Sequence, residues 1–222
     1  MLAEGITEEY FIPAAAELMK EPLDKYGIVV CNIDSTNFKP YIQLLQALNI
    51  PWILFTDGDY YEIEILEDEG GKEKRKRVSH IMQSAGHVEY GFAGDQNIGN
   101  ILYELEIVGY DDLSDEELNE LGCFIGYYTL EVDMMDQTDT KGLDIIKSIF
   151  KDMKSGGEQM QKNFEQRLDD GDYWGALSRI EGEISKGRFA QRLASQLIFE
   201  LVPSYIEKGI TTMVEKVKES YE

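Results

Sequence analysis

One stretch of sequence decides the fold, and it reads Pro51-Trp52-Ile53-Leu54-Phe55-Thr56-Asp57-Gly58-Asp59. Its first half is a short apolar run, which is typical of a strand buried on both faces of a parallel sheet. Its second half is a tight Asp-Gly-Asp turn at the carboxyl end of that strand, the edge at which open α/β sheets hold ligands. An ordinary Asp-Gly turn has the same local sequence, so the rest of the chain has to distinguish the two interpretations.

Helices and strands alternate around this stretch. Residues 27–33 are predicted to form another short buried strand, and residues 38–48 carry apolar side chains at helical spacing. Upstream, Thr7 is predicted to be the N-cap of a helix that runs to about Met19. The alternation predicts an α/β fold, a mostly parallel sheet with right-handed crossovers that is flanked by helices.

The pattern changes after Asp59. Residues 60–66 alternate like an edge strand, and residues 67–77 form a charged stretch that is predicted to be a solvated loop at a hairpin tip. Residues 91–99 are predicted to be a loop, and Ser114 starts a short helix with a capping box. Residues 123–130 are strand-like and run directly into Glu131-Val132-Asp133.

The last third of the chain is predicted to be helical. Helices are expected at about residues 141–153, 158–168, 172–181, 187–200 and 203–220. We therefore predict an α/β core with an inserted hairpin region over residues 1–140, and a C-terminal helical part over residues 141–222.

Composition limits the possible functions. The chain has 222 residues, 43% of them hydrophobic, which is enough for a core, and its formal net charge is -22. Such acidity argues against an extended phosphate-binding surface of its own, because Lys and Arg make those contacts. Carboxylates that hold hard cations would account for some of the acid, and a partner could supply the positive surface.

Location is inferred from three further features. Cys31 and Cys123 both lie in apolar runs and are predicted to be buried free thiols, which favours a reducing cytoplasm. The chain has no apolar run of about 18 residues and no secretion signal, so we expect a cytoplasmic protein without a membrane span.

Glu4 and Glu8 form a second acidic pair. Glu4 is followed by Gly5, and Glu8 lies one helical turn further on, so both carboxylates can face one point. Glutamates at a helix start are also ordinary partners of the helix dipole. The pair therefore gains meaning only from its combination with Asp57 and Asp59.

That combination resembles a known family. Glu4-Gly5-Ile6-Thr7-Glu8 followed by Asp57-Gly58-Asp59 is similar to the Toprim pattern, and the string from Glu4 to Pro13 resembles the OLD (overcoming lysogenization defect) family, which includes the Gabija-type phage-defence nuclease. Leu130-Glu131-Val132-Asp133 resembles the acidic motif of this group, and Ser185-Lys186-Gly187-Arg188-Phe189-Ala190 resembles its lysine motif. The four motifs occur in the family's order and cover most of the chain.

The resemblance implies a metal-dependent endonuclease with two Mg²⁺ or Mn²⁺ ions. The metal ligands would be Glu4, Glu8, Asp57, Asp59, Glu131 and Asp133. The residues central to catalysis would be Glu4, Asp57, Asp133 and Lys186, with the lysine stabilising negative charge on the phosphate. The alternative interpretation of Lys186 is a surface lysine that precedes a helix.

The resemblance also implies partners. The substrate would be DNA, and OLD-type proteins carry an ABC-type ATPase with a Gly-x-x-x-x-Gly-Lys-Ser/Thr loop that this sequence lacks. We expect the chain to be the catalytic piece of a longer protein, with the ATPase on the same or an associated chain and with homo-oligomers formed through it. Two other functions stay open: a different Toprim enzyme, either primase-like or ribonuclease-like, or a non-catalytic acidic module that binds a partner protein.

Overall fold

The computed structural model describes residues 1–67, 73–79, 87–109 and 113–220. Its strands are β1 (Leu2–Ala3), β2 (Cys31–Asn32), β3 (Leu54–Thr56), β4 (Tyr60–Glu67), β5 (Glu73–Ser79), β6 (His87–Phe92) and β7 (Cys123–Ile125). Its α-helices are α1 (Ile6–Leu18), α2 (Lys39–Ala47), α3 (Ala93–Glu104), α4 (Asp115–Leu121), α5 (Leu130–Gln137), α6 (Thr140–Met153), α7 (Glu158–Asp169), α8 (Tyr173–Glu183), α9 (Lys186–Ala194) and α10 (Ser204–Ser220).

The centre of the fold is a parallel sheet in the order β2-β1-β3-β7. Because every strand runs in the same direction, the residues that follow β1, β2, β3 and β7 all meet at one edge. The predicted α/β class, with a mostly parallel sheet flanked by helices, is confirmed.

Alternate residues of the strands supply two hydrophobic clusters, one on each face of the sheet. Leu2, Leu54 and Cys123 belong to a cluster with α2, α3 and α4. Ala3, Phe55 and Phe124 belong to the larger cluster, which includes α1 and α5 to α10. Because successive side chains of a strand point to opposite faces, each strand contributes to two helical layers, one on each side of the sheet.

The larger cluster contains residues from both sides of position 140. Phe11 of α1 lies in it together with Phe150, Phe164 and Phe189 of α6, α7 and α9. The rings of Phe150 and Phe164 stack with their centroids 3.8 Å apart. The C-terminal helices thus pack together with α1 in the helical layer that covers one face of the sheet.

Strands β4, β5 and β6 form a separate antiparallel sheet in the order β5-β4-β6, inserted between β3 and α3. The prediction of an edge strand at residues 60–66 is wrong, because β4 is the central strand. Residues 73–79 are a strand rather than a loop, since backbone pairing to β4 needs no apolar run. The expected tip at Gly70-Gly71 lies outside the described residues.

Several local predictions are confirmed, and others are corrected. Ser114 forms the predicted capping box, and the C-terminal helices lie close to their predicted bounds, except that 187–200 ends as α9 at Ala194 and continues in a 3-10 turn. Residues 93–99 of the predicted loop belong to α3, because Ile98 and Leu102 are buried against the sheet and this packing outweighs poor helix propensity. None of the helices in the described ranges is both long and apolar enough to cross a bilayer.

The two cysteines differ. Cys123 is buried as predicted, whereas Cys31 is exposed. Cys31 lies on β2, an outer strand of the parallel sheet, so its apolar sequence neighbours did not indicate burial.

Candidate metal centre

Glu4 is held at the carboxyl edge of the sheet by the end of the neighbouring strand. It directly follows β1, and its Oε2 accepts hydrogen bonds from the Thr56 hydroxyl and from the Asp57 backbone N–H at 3.2 Å. The loop after β2 closes over it, because the Ser35 N–H donates to the Glu4 carbonyl. The position of Glu4 is therefore determined by the parallel pairing.

Asp57 follows β3 and contacts the start of α5. Its Oδ1 accepts a hydrogen bond from the Leu130 N–H at 3.0 Å. The turn is tight because Gly58 packs against backbone: a Cβ there would lie 2.1 Å from the Gly126 carbonyl oxygen. Glycine is needed at residue 58 for this close approach rather than for its dihedral angles.

Glu8 and Glu131 bring two more carboxylates from two helices. Glu8 lies in the first turn of α1 and is 5% exposed, and Glu131 lies in the first turn of α5 and is 3% exposed. The Thr7 hydroxyl donates to Glu131 Oε1 at 2.6 Å. Thr7 is therefore not the predicted N-cap of α1, which begins after Gly5, but a buried link between α1 and α5.

Lys186 is the first residue of α9 and points at the same carboxylates. Its Nζ lies 3.4 Å from Glu131 Oε2 and 3.7 Å from Glu181 Oε1. The residue before it, Ser185, has φ = 84°, an uncommon backbone conformation for a non-glycine residue. Such strained positions concentrate at functional sites.

These side chains line one open cleft of about 440 Å³. The lining contains Glu4, Glu8, Asp57, Glu131 and Lys186, together with Gly5, Ile6, Thr7, Asp34, Ser35 and Thr36. Five of the seven residues predicted for the site thus lie together, although they come from four separate parts of the chain.

The carboxylates repel one another in this cleft. Burial, followed by the charges of Glu131 and Glu4, raises the pKa of Glu8 to about 7. Burial and the charges of Glu8, Glu4 and Glu131 raise the pKa of Asp57 well above its usual range. Burial alone would lower the pKa of Lys186, but Glu131, Asp57 and Glu181 raise it. One lysine therefore faces the four clustered carboxylates of Glu4, Glu8, Asp57 and Glu131, and a further cation would relieve their repulsion.

The donor set fits a hard divalent cation. All four acidic side chains offer oxygen, the ligand that Mg²⁺ and Mn²⁺ prefer. Within the described ranges, no group of three Asp, Glu, His or Cys side chains already stands in a metal-binding arrangement. Thr7, Thr56 and Lys186 hold the carboxylates instead, so side-chain rotation would have to accompany metal binding.

Asp59 and Asp133, the two other predicted ligands, do not line the cleft. Asp59 is exposed, with φ = 48°. Asp133 is 1% exposed, and its two oxygens accept hydrogen bonds from the backbone N–H groups of Tyr127 and Tyr128, each at 2.9 Å. The predicted convergence of both residues on the cluster is therefore not what the structure shows.

Asp133 points away from the cleft because it lies in a helix and not in a strand. A strand continuing to residue 133 would place Glu131 and Asp133 on the same face, because strand side chains repeat every two residues. In the structure β7 ends at Ile125 and both residues lie in α5, where two positions differ by about 200°. Glu131 therefore faces the cleft, whereas Asp133 faces the 126–128 loop.

Sequence reasoning missed three kinds of residue. Thr7 and Thr56 position Glu131 and Glu4, and their proximity to Glu8 and Asp57 in the sequence was the available signal. Asp34, with φ = 53°, lines the cleft without any motif to mark it. Burial, then Asp133 and Asp57, raises the pKa of Tyr205 well above its usual value, so its hydroxyl stays protonated beside the cluster.

The sheet order and the placement of its acidic residues define a class of protein. A glutamate after the first strand, an Asp-x-Asp turn after the third strand and a parallel sheet between helical layers are the features of a Toprim-type domain. Residues 1–59 match the family described as Overcoming lysogenization defect protein-like, TOPRIM domain.

Solved structures agree over nearly the whole chain. The C-terminal region of the Burkholderia pseudomallei OLD protein is 27% identical, with a TM-score of 0.71 over 97% of this chain and 96% of that one. The corresponding region from Xanthomonas campestris pv. campestris is 26% identical, with a TM-score of 0.72 over 99% of this chain and 93% of that one. The chain is accordingly similar to the C-terminal regions of OLD proteins over nearly its whole length, and its first 59 residues match the OLD-like Toprim family.

The chain is also similar to part of a longer protein. Endonuclease GajA of Bacillus cereus (strain HuB5-5) is 23% identical over 237 residues, which comprise 98% of this chain and 31% of the relative. The chain thus spans about a third of the length of that endonuclease.

Proposed function

We propose that this chain is the catalytic domain of a Mg²⁺- or Mn²⁺-dependent endonuclease that hydrolyses DNA phosphodiester bonds. The observation that carries the proposal is the convergence of Glu4, Glu8, Asp57 and Glu131 with Lys186 in one cleft at the carboxyl edge of the sheet. The similarity to an endonuclease over almost the whole chain supports it.

The residues take separate roles in this proposal. When bound, one or two divalent ions would neutralise charge on the scissile phosphate and make a water more nucleophilic. Glu4 and Asp57 would be primary ligands, because both are fixed by hydrogen bonds at the sheet edge. Glu8 and Glu131 would complete the oxygen donors from the two helices. Asp59 stays a predicted outer ligand, since it directly follows the Asp57-Gly58 turn.

Lys186 would act on the phosphate. In the present geometry its amine balances Glu131 at 3.4 Å. With Glu131 engaged as a metal ligand, the Lys186 amine would be free to face the negatively charged phosphoryl oxygens. A preorganised cation in that position stabilises charge that develops in the transition state.

Asp133 would position the site rather than bind metal. By accepting from Tyr127 and Tyr128, it holds the loop whose Tyr128 carbonyl in turn accepts from the Gly58 N–H at 2.9 Å. The Asp57 turn is thus hydrogen-bonded to the loop that Asp133 organises.

Binding of a long duplex would require more positive charge than this chain supplies, given its net charge of -22. We propose that an associated ATPase domain provides that surface and the contacts for homo-oligomers.

Cleavage of supercoiled plasmid tests the proposal. Wild type should cleave in Mg²⁺ or Mn²⁺ and not in EDTA, and Asp57→Asn should lose activity while keeping an oxygen acceptor for the Leu130 N–H. Glu17→Gln, which alters an exposed glutamate of α1, is the matched control and should cleave normally. If neither metal supports cleavage, or if Asp57→Asn cleaves like Glu17→Gln, the chain is not a nuclease of this type. Specific binding of a protein partner would then favour the non-catalytic acidic module.

A further inference from the structure

A group of aromatic side chains lies beside the acidic cleft, and the proposed mechanism does not use it. It consists of Tyr60 on β4, Tyr90 and Phe92 on β6, and Tyr127 in the loop after β7. We call it the aromatic face. Tyr60 pairs with Phe92, and Glu62 pairs with Tyr90, in the antiparallel register, so the three rings of the inserted sheet share one side of it.

The rings contact one another closely. The centroids of Tyr60 and Tyr127 are 5.1 Å apart in a stacked arrangement, and Phe92 meets Tyr127 edge-on at 5.0 Å. Tyr128 adds a further edge contact to Tyr127 at 4.6 Å. Tyr60, Phe92 and Tyr127 are therefore held in place by their neighbours, which reduces the entropy lost when a planar ligand stacks on them.

The aromatic face is also open to solvent. Tyr90 is 71% exposed and Tyr127 is 45% exposed. Large aromatic side chains grouped at a protein surface indicate a site of interaction. These rings are not a satellite of the main core, since they belong to neither hydrophobic cluster of buried residues, although Tyr128 packs against the larger one.

The aromatic face is close to the proposed reaction site. Tyr60 is three residues after Asp57, so their Cα atoms are at most about 11 Å apart. Its backbone N–H donates to the Tyr127 carbonyl at 3.2 Å, and Gly58 and Asp59 donate to the Tyr128 carbonyl. The turn that carries Asp57 and the aromatic face are therefore parts of one hydrogen-bonded unit.

The charged groups that act on the Tyr127 hydroxyl are acidic. After burial, Tyr90 and the acidic groups Glu62, Asp136 and Asp133 raise the pKa of the Tyr127 hydroxyl. The neutral face of a nucleobase is not repelled by such charges. Stacking on an aromatic ring binds a base through its π-face and does not itself require a positive charge.

We propose that the aromatic face stacks an unpaired nucleobase of the DNA strand that enters the cleft, so that the domain prefers single-stranded or locally opened DNA next to the scissile phosphate. The inference rests on the proposed function. Bases within an intact duplex are covered by their neighbours, so only an unpaired or flipped base can present its face to Tyr90 and Tyr127.

Direct binding tests this preference. A fluorescein-labelled single-stranded oligonucleotide of mixed sequence, and its duplex, would be titrated with the whole chain in Ca²⁺ and followed by fluorescence anisotropy. Tyr90→Ala should weaken binding of the single strand by between about fivefold and about 150-fold. Tyr90→Trp should bind within about twofold of wild type, and the duplex should respond less to either change.

The control is Tyr41→Ala, which removes another exposed tyrosine, 43% accessible, on α2. If Tyr90→Ala binds the single strand as Tyr41→Ala does, or if wild type does not bind it, stacking is refuted. If Tyr90→Ala instead changes sedimentation of the chain with oligonucleotide binding intact, the aromatic face is a protein interface and the proposal is also refuted. Metal-dependent plasmid cleavage by wild type would show in either case that the nuclease proposal stands independently.

Discussion

Replacing Glu8 by Gln removes one of the five acidic side chains that line the cleft while keeping nearly the same shape. Burial and the nearby charges of Glu131 and Glu4 raise the pKa of Glu8 from 4.5 to about 7. Below pH 4.5 the side chain is protonated in both the folded and the unfolded protein, so it has no effect on the pH dependence of stability. Between about pH 4.5 and pH 7, Glu8 ionises in the unfolded protein but stays protonated in the folded protein. The free energy of unfolding therefore falls as the pH rises through this range. The full penalty is present above pH 7.

The size of this penalty follows from the shift in pKa. Each pKa unit corresponds to about 1.4 kcal/mol, so ionised Glu8 destabilises the metal-free fold by on the order of 3 kcal/mol at pH 8. For a chain of this length, such a change moves the melting temperature by about 6–12 °C. We expect Glu8→Gln to melt higher than wild type by about this amount in EDTA at pH 8, and to differ little at pH 4.5.

Added metal should reverse the order of the two melting temperatures, so that wild type melts higher than Glu8→Gln. Binding to the folded state stabilises wild type by mass action, by about 2.7 kcal/mol at a hundredfold excess over the dissociation constant. Glu8→Gln lacks one ligand and should gain much less from millimolar Mg²⁺. Thermal unfolding followed by circular dichroism between pH 4.5 and pH 8, with EDTA or Mg²⁺, measures both effects, and the exposed Glu17→Gln is the control. The reasoning fails if Glu8→Gln melts below wild type in EDTA at pH 8, or if Mg²⁺ stabilises both equally.

Three further substitutions test separate parts of the site. Lys186→Ala should keep the fold and lower the plasmid cleavage rate by on the order of 10²-fold or more, with only partial recovery in Lys186→Arg; a rate within about twofold of wild type would make Lys186 a structural residue. In Asp133→Asn the side chain can accept only one of the two backbone hydrogen bonds, so the free energy of unfolding should fall by about 1–3 kcal/mol. The Mg²⁺-induced rise in melting temperature should remain, and its loss would identify Asp133 as a ligand. Gly58→Ala, with its Cβ 2.1 Å from a backbone oxygen, should lower both stability and cleavage; Gly99→Ala, in open space on α3, should be neutral or stabilising in the same melts, and equal behaviour of the two would contradict the close-packing argument.

The order of elements was predictable because buried parallel strands have short apolar runs. Residues 51–59 indicated both β3 and the acidic turn that follows it. Strand lengths were overestimated: only Cys31 and Asn32 of the predicted strand at 27–33 pair, and Val29 is 66% exposed. Apolar character in a sequence does not show which residues have a neighbouring strand.

Helix α3 was missed for a different reason. Its sequence carries Gly94 and Gly99 and polar residues that favour a loop in isolation. Its formation depends on burial of Ile98 and Leu102 against the sheet, and that contact is absent from any local pattern.

The candidate site was predictable only in part. The residues after β1 and β3 could be placed together from the parallel sheet alone. The contact between Lys186 and Glu131 joins residues 55 positions apart, and only the resemblance to a family suggested it. Whether Glu131 or Asp133 faces the cleft depends on α5 being a helix, and the apolar run before it did not distinguish helix from strand.

The inserted antiparallel sheet leaves and rejoins the parallel core at one place. The Gly94 N–H donates to the Gly58 carbonyl at 3.0 Å, and the Ala93 N–H donates to the Asp59 carbonyl, so the two ends of the insertion are hydrogen-bonded to each other. A segment whose ends already meet can change length, or be exchanged for another, with little entropic cost to the rest of the fold. The inserted sheet, with the aromatic face that it carries, can therefore vary in evolution while the carboxylates at the edge of the parallel sheet keep their positions.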